Sequence, residues 1–274
     1  MPSSIRNDAR YFLPASSLVN RPSDPTKTVI SRIPGKRSVS SARGEPMHRS
    51  GIQDEVRERV MLRRGSVAVF DRLSPRHTAH IVVDLQNGFM DHGQMAEVPV
   101  AREIVPNVNR ISAALRAAGG IVAFTQHTAD AEAVRTWSVY FEHFLGTPER
   151  RTRFIEAFTP VSFGHALWPA LDVAEQDIVV LKRRFGAFVP GSSDLHARLQ
   201  ERGIDTLIIS GTLSQVCCEA TARDAMMMNY KGFFITDACA TLTDAEHGGT
   251  LSAMAHTFCD VRDTQSVLGL IMAA

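Results

Sequence analysis

The stretch DTLIISGTLSQVCCEATARDA, residues 205–225, decides how the chain is read. Residues 206–210 are an unbroken run of β-branched and apolar side chains, the pattern of a strand buried on both faces. Residues 211–214 supply a tight turn, and 216–225 are good helix formers. A strand that turns directly into a helix places Cys217 at a helix N-terminus. Free backbone N–H groups and the positive end of the helix dipole favour a thiolate there. Cys217 is therefore a candidate nucleophile.

Working outward, the same strand signal recurs at 80–84 (HIVVD), 121–126 (IVAFTQ), 177–182 (DIVVLK) and 232–236 (GFFIT), with a short strand or loop at 260–261. Helical periodicity marks 52–63, 102–118 (stopped by Gly119 and Gly120), 194–201, 246–258 and the C-terminal residues. Strands alternating with helices at this spacing predict an α/β fold of three layers, a central parallel sheet with helices on both faces in the doubly wound manner. Residues 128–169 have no clear period but carry Trp137, Tyr140, Phe141, Phe144, Phe154, Phe158, Phe163 and Trp168. They read as an insertion over the active-site side or as an oligomer contact.

Composition narrows the partners. A net charge of +1 with 22% charged residues gives no polyelectrolyte signature, so nucleic acid and anionic membrane surfaces are not the implied partners. No apolar run approaches the ~18–20 residues of a membrane span. Four cysteines without a CxxC pair or a secretory signal fit reduced thiols and a cytoplasmic setting. Residues 1–46 are rich in Ser, Pro and Arg and poor in acids, and are expected to be a disordered extension of a single domain over 47–274. A regulatory tail, a transit peptide and an over-long start preceding Met47 or Met61 all suit that extension; the last is preferred.

In parallel α/β sheets, ligands sit beyond the carboxyl ends of the strands. That rule selects Asp84, Gln126 and Lys182, each ending an apolar run, and Cys217. A carboxylate beside a thiol can accept its proton, and an ammonium keeps that carboxylate ionised. Taken singly, Asp84 reads as a helix cap and Lys182 as part of the solvated cluster with Arg183 and Arg184. Three suitable types at three strand ends change that balance. Cys218, Cys239 and Cys259 read as core thiols.

VVDLQNGF at 82–89, LKRRFGAF at 181–188 and GTLSQVCCEATARDA at 211–225 together resemble the three signature segments of the isochorismatase-like cysteine hydrolases, and TDACAT at 236–241 resembles a fourth. The resemblance runs from about residue 78 to the C-terminus. It implies an Asp84–Lys182–Cys217 triad, an oxyanion hole from the backbone N–H groups of Leu213 and Cys217, a cis peptide at Thr212–Leu213 and a homo-oligomer. Ser214-Gln215 and Leu213 depart from the family's usual residues at the pocket wall.

Family members that open vinyl ethers lack the cysteine, so Cys217 directs the reading to C–N bonds of small amides or carbamoyl compounds, through a thioester. The nicotinamidase-like members carry an Asp/His metal cluster after the second strand. Here only His127 and Asp130 are available, so no metal and no cofactor is expected. Phe89, Gln126, Trp137 and Phe188 are candidate pocket residues, and Arg183 or Arg184 could meet a substrate carboxylate. Two alternatives stay open: vinyl-ether hydrolysis, and a catalytically idle scaffold. A nucleotide-binding domain is disfavoured, because no GxGxxG follows the first strand and no GxxxxGK[ST] occurs.

Overall fold

The structure, a computed structural model, describes His48 and residues 51–274. The extension expected over 1–46 lies outside the described residues. Six strands, β1 (Thr78–Val83), β2 (Ile121–His127), β3 (Ile178–Lys182), β4 (Thr206–Thr212), β5 (Lys231–Ala240) and β6 (Asp260–Arg262), form one sheet in the order β3-β2-β1-β4-β5-β6. Every pairing is parallel. The central strands β1 and β4 are buried at every position, which is why their sequences run apolar without alternation. At the edge, β3 alternates buried and exposed residues and leaves Val179 and Leu181 open to solvent.

The helices are α1 (Asp54–Arg64), α2 (Asn87–Met90), α3 (Val105–Ala117), α4 (Ala131–Thr136), α5 (Pro148–Phe158), α6 (Leu195–Gln200), α7 (Glu219–Met227), α8 (Asp244–Ala253) and α9 (Thr264–Met272). Val82, Phe124 and Ile208 pack on one face of the sheet against Ile111 and Leu115 of α3 and Ile271 of α9. Ile81, Ile209 and Phe234 pack on the other against Leu199 of α6, Ala222 of α7 and Leu251 of α8. Each of the fully buried Val, Leu, Ile and Phe side chains among them contributes roughly 1.5–3 kcal/mol. The result is the expected three-layer α/β arrangement.

Residues 128–169 differ from the irregular insertion expected. They contain α4, a π-helical turn at Val139–Phe144 and α5, and the aromatic side chains explain why. Phe141, Phe154 and Phe158 bury one another together with Phe89 and Leu145, a third apolar cluster that needs helices to bring spaced residues together. α4 is capped by Asp130, whose Oδ1 accepts from Ala133 N at 2.9 Å. α5 is capped by Thr147.

Two buried histidines make the fold acid-sensitive. His80 lies in β1 with Nδ1 2.9 Å from Ser112 Oγ and Nε2 2.7 Å from Ser210 Oγ. Burial, with a smaller push from Arg116, lowers its pKa to about 3. His247, 2.9 Å from Ser214 Oγ and stacked on His48, is lowered to about 4, first by burial and then by His48. The folded chain refuses protons that the unfolded chain binds below about pH 6.5. This stability is complete above that pH and falls as pH drops, by about 1.4 kcal/mol per unit per histidine. Urea unfolding at pH 7.5 and 5.0 should therefore show a clear loss at the lower pH, before carboxylates titrate. A flat profile across that window would rule the account out.

Candidate active site

β1 ends at Val83, and Asp84 follows in a left-handed backbone conformation, φ +52°. Aspartate tolerates this region better than most residues. Lys182 is the last residue of β3, and both side chains are fully buried. The Lys182 Nζ lies 2.8 Å from Asp84 Oδ2, and it donates to the carbonyls of Arg184 at 2.7 Å and Phe185 at 3.1 Å. Those bonds fix the ammonium on the strand that delivers it. On the other side of the carboxylate, Thr125 Oγ1 donates to Asp84 Oδ1 at 2.6 Å.

Cys217 arrives by the turn after β4. Gly211 there has φ +119°, and a Cβ on it would drive into the backbone of Val83, so only glycine lets β4 approach β1 this closely. The Thr212–Leu213 peptide is cis. The Leu213 carbonyl accepts from the N–H groups of Val216 and Cys218, both at 3.1 Å, closing the turn around Cys217. The helix start expected at 216 is instead a π-helical turn, Ser214–Cys218, that runs into α7.

The thiol of Cys217 stands close enough to both Asp84 and Lys182 for their charges to act on its acidity. Its pKa corrects the expectation of a resting thiolate. Burial pushes it up to about 12; Lys182 pulls it down while Asp84 pushes it further up. Full desolvation outweighs the helix terminus, so the resting group is a thiol. Burial also pulls the Lys182 ammonium down, but Asp84 and Cys217 more than offset this and its pKa is raised. Lys182 therefore stays charged.

A cavity of about 280 Å³ opens over Cys217. Leu213, Val216 and Cys217 form its floor. Its walls include Phe89, His127, Tyr140, Phe154 and Phe185, and Phe144, Arg150 and Leu242 also line it. The helical segment within 128–169 thus covers the Cys217 side of the sheet. Of the four sequence-nominated pocket residues, only Phe89 lines the cavity. Gln126 is turned aside, its Nε2 donating to the His165 carbonyl at 2.8 Å. Trp137 stands behind the wall, stacked on Tyr140 at 4.3 Å and edge-on to Phe185 at 4.7 Å. Phe188 is a correction: it is buried in the core beside Tyr230 and His196, because the chain turns away after Phe185.

Asp130 is committed twice, capping α4 and pairing with Arg183 at 2.7 Å. His127 is buried among Phe89, Phe154, Phe158 and Phe185, with neither ring nitrogen hydrogen-bonded and its pKa held well below the ordinary value, first by burial and then by Lys182. Among the described residues, no three His, Cys, Asp or Glu side chains gather as metal ligands. Cys218, Cys239 and Cys259 are buried in the core. Sequence reasoning missed Thr125, which touches the carboxylate, and Tyr140 and Phe185, which wall the cavity. Strand register was the available signal for Thr125, since Val83 pairs with it directly.

Among the described residues, no helix is long and apolar enough to cross a membrane. Known proteins agree with this architecture. The isochorismatase domain family matches residues 78–266. A protein of Arabidopsis thaliana named a "probable inactive nicotinamidase" is 31% identical over 65% of this chain and 88% of its own. The ureidoacrylate amidohydrolase RutB of Klebsiella pneumoniae is 29% identical over 60% and 74%. The crystal structure of a cysteine hydrolase from Pseudomonas syringae pv. phaseolicola superposes with a TM-score of 0.66 at 26% identity, covering 75% of this chain and 97% of that one. Sheet order, strand-end residues and sequence similarity converge, and the chain belongs to the isochorismatase family of hydrolases.

Proposed function

We propose that this chain hydrolyses a C–N bond of a small amide or carbamoyl compound through a thioester on Cys217. One observation carries the reading: a solvent-excluded Asp84–Lys182 ion pair stands beside, and acts electrostatically on, a thiol that lines a cavity. A buried ion pair of this kind is no economical source of stability, since desolvation of both charges offsets most of the attraction. Its retention beside a thiol suits proton transfer.

The Cys217 proton passes to Asp84 as sulfur attacks the carbonyl carbon. Because the resting group is a thiol, transfer and attack are coupled rather than sequential. The carbonyl π electrons move to oxygen, which takes hydrogen bonds from the Leu213 and Cys217 N–H groups. Losing one such donor typically costs about 10²–10³ in rate. Protonated Asp84 then gives its proton to the departing nitrogen as the C–N bond breaks, leaving the thioester. Asp84 next takes a proton from water, the resulting hydroxide attacks the thioester, and the thiolate leaves and recovers the proton. Lys182 keeps Asp84 ionised between steps, and Thr125 holds the carboxylate's other oxygen in place. Similarity to RutB supports an amide or carbamoyl substrate.

The test is an amide and carbamoyl panel followed by ammonia release, with acid-quenched intact-mass measurement during turnover. The expected result is ammonia together with an acyl adduct that maps to Cys217. Vinyl-ether hydrolysis without an adduct would replace this reading with the isochorismatase-type reaction. No turnover and no adduct would favour an idle scaffold, the reading that the Arabidopsis relative's name brings to mind.

A further inference from the structure

Ser214 opens the π-helical turn that carries Cys217 and follows Leu213, a proposed oxyanion donor. It is fully buried but does not line the cavity. Its Oγ lies instead 2.9 Å from Nδ1 of His247, on α8. The other ring nitrogen of His247, Nε2, lies 3.0 Å from the Thr236 carbonyl of β5. A carbonyl only accepts, so Nε2 carries the proton, Nδ1 is left as an acceptor, and the Ser214 hydroxyl donates to it. Burial first and His48 second hold His247 at about 4, which keeps the ring neutral at neutral pH. Thr212 Oγ1 donates to the Ala240 carbonyl at 3.2 Å. The residues on both sides of Leu213 are thus tied to β5, one directly and one through His247.

His48 covers one face of that imidazole, with ring centroids 4.4 Å apart and planes 12° from parallel. It is itself fixed. Thr241 N donates to its Nε2 at 3.0 Å, which leaves the proton on Nδ1 for Asp244 Oδ1 at 2.8 Å. Just ahead of α1 the chain meets α8 again, where Gln53 N donates to Ser252 Oγ at 2.9 Å. His48 and Gln53 both lie outside residues 78–266, the part matched by the isochorismatase domain. A segment ahead of that domain therefore reaches the support of the turn.

We propose that His247 is a positioning residue for the turn that carries Cys217, acting through Ser214, and that His48 holds His247 in place. This role rests on the hydrolase reading above and adds to it two residues that stand outside the cavity. Backbone donors stabilise an oxyanion only at close range, so a small shift of the turn weakens them in the transition state. Substrate binding to the cavity walls is untouched. Loss of the Ser214 bond should therefore lower kcat and leave KM unchanged.

Two amide substitutions separate the bonds that His247 makes. An asparagine amide reaches the place of Nδ1 and keeps an acceptor for Ser214; a glutamine amide reaches the place of Nε2 and keeps only the bond to Thr236. Ammonia release gives kcat and KM, and hydrogen exchange of the amides at 213–218 reads the turn without any turnover. His247→Gln and Ser214→Ala should each lose about ten- to a hundredfold in kcat at constant KM. Both should exchange faster at 213–218 than wild type. Their combination should lose no more than either alone, because both break the same bond. His247→Asn should recover most of what His247→Gln loses, although each variant gives up one hydrogen bond and the stack with His48. His48→Ala should lower kcat by about threefold or more and speed exchange at 213–218. Equal kcat in the asparagine and glutamine variants, a loss carried by KM, or a His48→Ala protein matching wild type would overturn the proposal. Thermal unfolding checks each fold, and where a His247 variant fails to fold, Ser214→Ala and His48→Ala decide. The two readings fail separately. Ammonia release with exchange at 213–218 unchanged in His247→Gln and Ser214→Ala removes this one alone. The expected exchange pattern with no ammonia from any amide removes the hydrolase reading and leaves His247 as the holder of the turn.

Discussion

Replacing Cys217 with serine is expected to lower kcat/KM for amide hydrolysis by about 10⁴ or more while leaving the fold intact. Size is nearly conserved at a site that is 4% exposed, so the unfolding midpoint should barely move. The chemistry should change far more. Burial already holds the thiol at about 12, and the proposed base beside it is a carboxylate rather than an imidazole. A hydroxyl is a much weaker acid than a thiol, so the same carboxylate cannot usefully deprotonate it as attack begins. What survives is cavity binding and the oxyanion donors, which stabilise little without a nucleophile. Steady-state kinetics on the best substrate, with thermal unfolding as the control, decides it. A serine variant within tenfold of wild type would rule out the thioester route.

The second large effect falls on stability and activity together. Asp84→Asn leaves the Lys182 ammonium fully buried without its counter-charge, a loss of about 3–5 kcal/mol. It also removes the proposed proton acceptor, which should cost about 10²–10⁴ in rate. The sign of the pH dependence distinguishes this from ordinary misfolding. In the wild type the Lys182 pKa is raised, so its stabilising share is complete below the unfolded value of ~10.4 and lost above it. In Asp84→Asn desolvation acts unopposed by the carboxylate and the folded pKa drops below that of the unfolded chain, so this variant should gain stability as pH rises from 6 to 9. Lys182→Met should do the reverse: a buried carboxylate without its cation takes up a proton, and stability falls as pH rises. Combining the two substitutions should restore much of the stability, because no charge is left stranded, and none of the activity. Urea denaturation at pH 6 and 9 reads all three variants. Additive losses in the double variant would refute the ion-pair account.

The sheet was legible because buried parallel strands must be written as continuous apolar runs, as at Ile81–Val83 and Thr206–Ser210. Asp84, Lys182 and Cys217 could be found because a parallel sheet gathers its strand ends at one edge. Their proximity needed no knowledge of side-chain packing. Other features were set by packing and stayed hidden. Gln126 ends its run and looked like the site residue of β2, yet register aims Thr125 at Asp84. Within 128–169 only α5 carries a helical period, Phe154 and Phe158 at i and i+4; the short α4 and the turn at Val139–Phe144 do not, and the aromatic residues of the segment pack on one another. Phe188 shares a motif with Lys182 but lies beyond the turn at Phe185, among core partners no local pattern reveals. The thiol's acidity was misjudged because helix-terminus position is visible in sequence and the depth of burial is not.

Lys182 belongs to β3, the strand at the end of the sheet, which is hydrogen-bonded to β2 alone. Asp84 follows β1, held from both sides. The ammonium is therefore delivered by an edge strand, paired on one side only, and the carboxylate by one of the firmest. Brief detachment of a single outer strand would separate the two charges while the remaining five strands stay assembled, an excursion far less demanding than global unfolding. The working lifetime of the proposed chemistry is then governed by how often that one margin peels, and heat would silence the protein well before it melts.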